Sequence, residues 1–252
     1  MSRRFFLDSS PPPTGQFSLS QVEAPDEIHH LTRVLRLGAG DTLIFVNGRG
    51  LETEARILQA DKSSLQLEII TQTQTEQAKP RIHLCQAALK GAKMDWLIEK
   101  LTELGVSELH LLTTEFSVRQ EENSRLDRWD RIVKSAMKQS ENPQWLKIHA
   151  PRSLKEFFAS DTYSQAPKIL LHPETNSPSL LKCLQSVLEK NLSLEALFIF
   201  LGPEGGFSDS EAKFLKDQGL YSANLGKTIL RGETAGIAAA VTTTQAIAFW
   251  AH

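Results

Sequence analysis

From residue 81 to the carboxyl terminus, short apolar runs alternate with segments of helical spacing, and this rhythm narrows the fold more than any other feature of the chain. Ile82–Ala88, Glu108–Leu112, Lys168–His172, Leu197–Leu201 and Ser222–Leu225 have the apolar or β-branched content of strands. Between them Met94, Leu97, Ile98, Leu101 and Leu104, and then Trp129, Ile132, Val133, Ala136 and Met137, recur at helical intervals. Strands that alternate with helices predict an α/β domain with a mainly parallel sheet. The last segment, Thr234 to Ala251, runs 18 residues without a charge. Thr242, Thr243, Thr244 and Gln245 interrupt it and no basic anchors flank it, so it is expected to be a buried C-terminal helix rather than a membrane span.

The amino-terminal part reads differently. Between Ile70 and Arg81 lies a polar stretch without apolar periodicity, closed by Pro80, and it divides the chain into residues 1–72 and 73–252. Ahead of it, Asp41–Val46 and Leu51–Leu58 flank Asn47-Gly48-Arg49-Gly50, a strong hairpin signal because Asn and Gly tolerate positive φ. Leu65, Leu67 and Ile69 alternate with polar residues as a half-buried strand does. Glu27–Leu37 has helical spacing, with Ile28, Leu31 and Leu35 on one side and His29, Arg33 and Arg36 on another. The expectation is a small β domain with one basic helical face.

Composition excludes some functions. With 252 residues the chain has room for one large domain or two unequal ones, and 40% hydrophobic with 23% charged residues is ordinary for a globular protein. A formal charge of −2 provides no global positive field, so a nucleic-acid partner would have to be held by local patches. Asp8 falls where a signal peptide needs an apolar run, so secretion is not expected. Cys85 and Cys183, the two cysteines, form neither a disulfide framework nor a zinc site and fit a reducing cytoplasm.

Two motifs stand out. Leu197–Leu201 runs into Gly202-Pro203-Glu204-Gly205-Gly206-Phe207, and Ser208 with Glu211 has capping-box spacing, so a glycine loop joins a strand's carboxyl end to a helix's amino end. Ligands of open α/β sheets bind there, and the glycines would let backbone approach one closely. A tight turn without a ligand explains the same residues. The second motif, Leu225-Gly226-Lys227-Thr228-Ile229-Leu230-Arg231-Gly232-Glu233-Thr234-Ala235-Gly236, again follows a strand and enters a helix. Its charges either face a ligand or form a helix cap in which Arg231 neutralises Glu233.

Together with Lys90-Gly91-Ala92-Lys93-Met94-Asp95-Trp96, Glu99-Lys100 and Thr102-Glu103-Leu104-Gly105-Val106, these loops resemble the RsmE family, the bacterial 16S ribosomal RNA (uracil N3) methyltransferases of the SPOUT superfamily. Arg3-Arg4-Phe5-Phe6 and His29-His30-Leu31-Thr32-Arg33-Val34-Leu35-Arg36 resemble that family's PUA-like RNA-binding domain. The resemblance covers nearly the whole chain, with the motifs in the family's order. It implies a PUA-like β-barrel in residues 1–72. For residues 73–252 it implies a trefoil-knotted, mainly parallel sheet with helices on both faces that binds S-adenosyl-L-methionine, catalyses methyl transfer and dimerises. The implied cofactor site comprises Leu171, His172, Leu201, Gly202, Pro203, Glu204, Gly205, Gly206, Leu225, Gly226, Leu230, Arg231, Thr234 and Ala235.

Methylating uracil N3 requires removal of its proton and stabilisation of the developing negative charge. Arg231 is the expected source of positive charge, and Glu233 or Glu204 the carboxylate that orients the base or takes the proton. For 16S rRNA or the small ribosomal subunit, the expected contacts are Arg3, Arg4, His29, Arg33 and Arg36, and a second patch of Lys90, Lys93 and Arg119. Arg125, Arg128, Arg131, Lys134 and Lys138 add a basic helix side, whose members also have acids such as Asp127 and Asp130 nearby. The chain departs from the family in having Glu141-Asn142-Pro143 after Gln139-Ser140, where Gly-Arg is more usual, and in Gly232, which is expected to loosen its loop. Cys85, Cys183, Trp96 and Trp129 are expected in the core. His83, His110, His149 and His252 lack ligand spacing in sequence, so no metal is expected.

Three rivals are weaker. A nicotinamide-dependent oxidoreductase needs Gly-x-Gly-x-x-Gly, whereas this loop is Gly-x-x-Gly-Gly. A non-catalytic RNA-binding module leaves Arg231 to Thr234 without a purpose. A SPOUT enzyme acting on transfer RNA or on a ribose hydroxyl is separated from the RsmE reading by family resemblance alone.

Overall fold

The computed structural model describes residues 4–20, 25–61, 63–117, 123–160, 165–172, 177–190 and 193–250. The chain divides into two compact units, residues 1–77 with 134–145 and residues 78–133 with 146–252.

The first unit is a five-stranded sheet in the order β1-β3-β4-β5-β2. Its strands are β1 (Arg4–Phe6), β2 (Gln16–Ser20), β3 (Thr42–Val46), β4 (Leu51–Ala60) and β5 (Ser64–Gln74). β1 runs parallel to β3, and the other pairings are antiparallel. The predicted hairpin joins β3 to β4, with the Asn47 Oδ1 accepting from the N–H groups of Arg49 at 2.8 Å and Leu51 at 3.2 Å. Gly50 could be nothing else: its φ is +86°, and a Cβ there would lie 2.1 Å from the Thr75 carbonyl oxygen. β5 continues to Gln74, so part of the polar run read as a linker is strand.

All five strands contribute to one core, from Phe5, Leu19, Leu43, Phe45, Ile57 and Leu65 among others, and Ile28 and Leu31 pack against it. Those two come from α1 (Pro25–His29) and a π turn that continues it over His30–Val34. The wider turn changes the expected basic face. His29 and Arg33 are exposed, but Arg36 lies beyond the helix in the left-handed region at φ 53°.

The second unit holds a six-stranded sheet, parallel throughout, in the order β11-β9-β10-β6-β7-β8. The strands are β6 (Arg81–Ala87), β7 (Glu108–Thr113), β8 (Lys147–Ser153), β9 (Lys168–Leu171), β10 (Ala196–Leu201) and β11 (Tyr221–Ala223). Sequence periodicity predicts five of these and misses β8, whose Pro151 removes a ladder donor. A proline is tolerated there because β8 is an edge strand with an irregular register against β7.

The helices are α2 (Lys93–Glu103), α3 (Asn123–Ser140), α4 (Leu154–Ala159), α5 (Leu180–Lys190), α6 (Asp209–Asp217) and α7 (Gly232–Trp250). Alternation along β6 sorts them onto two faces. Cys85, Phe198 and Phe200 cluster with Phe157 of α4 and Leu215 of α6. Gln86 points the other way, where Gly236 of α7 comes close to both it and Leu97 of α2.

Two core expectations need correction. Trp129 is buried, but Trp96 is 47% exposed, because it falls off the stripe that Met94, Leu97, Ile98 and Leu101 turn inward. α7 is buried only along Glu233, Gly236, Ala239, Ala240, Thr243 and Ala246, while Val241 and Phe249 are exposed. Small residues let one face pack closely, and the other face is uncharged, with Val241 and Phe249 exposed beside Thr234 and Gln245. Among the described residues no helix is long and apolar enough to cross a membrane.

Candidate functional site

The cleft is assembled where β9, β10 and β11 end. β10 is buried along its whole length and stops at Leu201, and the loop Gly202–Phe207 leads to α6. The predicted capping box closes that helix: Ser208 accepts from the Glu211 N–H, and the Glu211 carboxylate accepts from the Ser208 N–H. Inside the loop the Gly206 N–H donates to the Pro203 carbonyl at 2.9 Å, with Gly206 at φ +75°. Gly202 packs on the returning backbone so tightly that a Cβ would sit 3.0 Å from the Gly206 carbonyl carbon.

The neighbouring loops complete the walls. His172 follows β9 and donates its N–H to the Ala223 carbonyl at 3.0 Å. After β11, Asn224 Oδ1 accepts from the Gly226 N–H at 3.0 Å, and Gly226 takes φ +113° to turn the chain toward α7. The resulting cleft of about 550 Å³ is lined by Leu171, His172, Leu201 to Phe207, Leu225, Gly226, Thr228 to Gly232, and Ala235. Apolar side chains and glycine backbone together suit a ligand with a flat ring and polar edges.

Among the residues expected at the cofactor site, Leu171, His172, Leu201, Gly202, Pro203, Glu204, Gly205, Gly206, Leu225, Gly226, Leu230, Arg231 and Ala235 line this cleft, and Thr234 does not. Phe207, Thr228 and Ile229, which lie in the two motifs but outside the expected cofactor set, line it as well, as does Gly232. Ile229 is 88% exposed, and with Leu230 it forms an apolar pair between Thr228 and Arg231. Gly232 opens α7 against Leu89, with the Leu89 Cδ2 2.5 Å from where a Cβ would lie.

Two side chains from outside the loops hold them. Gln86 Nε2, fully buried on β6, donates to the Gly202 carbonyl and to the Ala87 carbonyl, both at 3.1 Å. A lone amide in an apolar strand was its sequence signal. Lys93 Nζ on α2 lies 2.7 Å from Glu204 Oε1 and 3.8 Å from Glu233 Oε2. The hydrogen bond to Glu204 pushes the Lys93 ammonium above its ordinary value. Burial works to raise the Glu204 carboxyl, but the bond and charge of Lys93 together with hydrogen bonds from the Glu204 and Lys90 backbone hold the group below the usual range.

Glu233 is 7% exposed, and its Oε2 has no hydrogen-bond partner. The cation beside it is thus Lys93 rather than the expected Arg231, which is exposed at the cleft.

The candidate RNA contacts separate in the same way. His29, Arg33, Arg36 and Lys90 are exposed, and Lys93 is engaged as described. Arg4 is not available as expected: its side chain is 10% exposed and is paired with Glu52 and, at 3.3 Å, with Glu141. Arg3 and Arg119 lie outside the described residues. On α3, Arg128 pairs with Asp95 and Lys138 with Glu27.

A parallel sheet with a glycine-loop cleft at its carboxyl ends, in a chain that also carries a small β unit, is the architecture of a two-unit α/β ligand-binding protein. Residues 75–244 match the RNA methyltransferase domain and residues 23–70 the RNA methyltransferase PUA domain, and the chain belongs to that family. Two of its relatives are each a ribosomal RNA small subunit methyltransferase E. The protein of Synechocystis sp. is 33% identical over 210 residues, 83% of this chain and 67% of the relative. That of Bacillus subtilis is 26% identical over 218 residues, 83% of this chain and 84% of the relative. The Legionella pneumophila methyltransferase Lpg2936, solved with the cofactor SAM, superposes with a TM-score of 0.81 at 27% identity over 98% of both chains.

Proposed function

We propose that this chain transfers the methyl group of S-adenosyl-L-methionine to N3 of a specific uridine in bacterial 16S ribosomal RNA, acting in the cytoplasm as a homodimer. The cleft carries this reading: the glycine-bearing loops after β10 and β11 meet the end of β9, and Gly202 lets the first of them fold back on itself where a Cβ would strike the Gly206 and Phe207 backbone, in a chain of the RNA methyltransferase family. The cofactor supplies an electrophilic methyl on a sulfonium. The backbone of residues 202–206 and 225–226 reads its polar edges, and Leu171, Leu201, Phe207 and Leu230 exclude water from the reacting atoms. The knotted topology implied by the family belongs to the same proposal.

Arg231 stabilises the charge that develops on uracil as N3 loses its proton. Glu204 is held by a hydrogen bond from Lys93, whereas Oε2 of Glu233 accepts no hydrogen bond and has only the Lys93 charge at 3.8 Å, so Glu233 is the better candidate to orient the base or take the proton through water. Residues 1–72 bind RNA through His29, Arg33 and Arg36, and Lys90 and Lys93 continue that role near the cleft. The exposed uncharged face of α7, with Val241 and Phe249, supports the dimer. For Arg231→Ala, transfer of labelled methyl to small subunits lacking the modification should fall by about 10²-fold or more while calorimetric cofactor affinity stays within a few-fold. Full turnover by that variant removes Arg231 from the mechanism.

A further inference from the structure

The parallel register does something at the amino-terminal half of the sheet that sequence spacing hid. His83 on β6 pairs with Glu108 on β7, and His110 on β7 pairs with His149 on β8. Strand alternation turns all four side chains to the face occupied by α4 and α6, at the opposite end of the strands from the cleft. His83 Nδ1 lies 3.1 Å from His110 Nε2, and Glu108 Oε2 lies 3.7 Å from the first and 3.6 Å from the second. His149 Nε2 meets that same carboxylate oxygen at 2.5 Å. Phe157 and Phe198 pack against the His110 ring, and Phe198 also lies against His83.

We propose that His83, Glu108 and His110 bind a divalent transition-metal ion of the zinc type, with His149 orienting the carboxylate. Metal bonds of about 2.0–2.1 Å in tetrahedral geometry separate ligand atoms by roughly 3.3 Å, so the observed triangle closes on an ion after shifts of a few tenths of an ångström. Two imidazoles and one carboxylate also leave a fourth position for water. His83 Nδ1 and His110 Nε2 share one proton in their 3.1 Å hydrogen bond, and an ion displaces it, the donor ring then carrying its proton on the other nitrogen.

The bond from His149 to the ligating carboxylate is the outer-shell support that metal sites use. Positive charge from Arg81, Lys147 and Arg152 acts on the cluster. That disfavours cations held only by charge, such as magnesium, and leaves ions that bond strongly to imidazole nitrogen. An ion here ties β6 to β7, and to β8 through His149.

The test is a visible-light titration of untagged, chelator-stripped protein with cobalt(II), followed by competition with zinc. One equivalent of cobalt should give the d–d bands of a tetrahedral site, zinc should bleach them, and magnesium should leave them unchanged. Glu108→Gln and His110→Gln, checked for folding by circular dichroism, should weaken cobalt binding at least tenfold. Absence of the bands in the wild-type protein overturns the proposal, as does wild-type affinity in either folded variant. The wild-type spectrum and its zinc competition decide the matter even if both variants fail to fold, and neither depends on the methyltransferase reading.

Discussion

Gly202, Gly205 and Gly206 are glycine for different reasons, and substitution separates them. Gly206 sits at φ +75°, where an L side chain is strained whatever space surrounds it, whereas a Cβ on Gly205 meets only the Phe116 side chain at 3.1 Å. Gly206→Val should cost about 1–3 kcal/mol of local strain and lower calorimetric affinity for S-adenosyl-L-methionine at least tenfold. Gly205→Val should have the smaller effect, since Phe116 is half exposed and can move. Equal losses at the two positions would show that φ is not what the loop depends on. Arg4 makes the same point about context: one of the first arginines in the chain is spent on Glu52 and Glu141, and its role follows from where the fold puts it.

Among the elements, α6 and α7 position the cleft by opposite means. α6 begins where Ser208 and Glu211 satisfy each other's backbone donors, a local device that fixes where the glycine loop must end. Ser208→Ala should destabilise the protein by about 1 kcal/mol in urea unfolding, and cofactor affinity should fall with it because the loop's exit is no longer pinned. Unchanged affinity would place the loop's rigidity elsewhere, in the bond from Gln86 to the Gly202 carbonyl. α7 lacks such a cap signal and is held by close approach instead, with Gly232 against Leu89 and Gly236 against Leu97.

For the molecule as a whole, the near-neutral charge of −2 and the uncharged face of α7 matter most. Val241 is 41% and Phe249 77% exposed, an apolar surface that association would cover. Val241→Asp should convert the proposed dimer to monomer in light scattering at micromolar protein without unfolding it, because the side chain already lies outside the core. A dimer that persists through this substitution would move the interface off α7.

Much of this protein is legible in its sequence, and the legible part is local. The hairpin at Asn47-Gly48, the strands of the parallel sheet other than β8, the capping box and the glycine loop all follow from interactions within a few residues: side-chain periodicity, φ preference and backbone hydrogen bonds to near neighbours. The edge position that permits Pro151 in a strand, the exposure of Trp96 and the second face of α7 depend on what packs against each element. So does the site: Lys93 reaches Glu204, Gln86 reaches the Gly202 carbonyl, and His83 meets Glu108 and His110, because a parallel register aligns strands far apart in sequence. Sequence determined the elements and the loops that bear the chemistry, and the tertiary structure alone decided which side chains share a space, since that depends on long-range pairing and not on spacing along the chain.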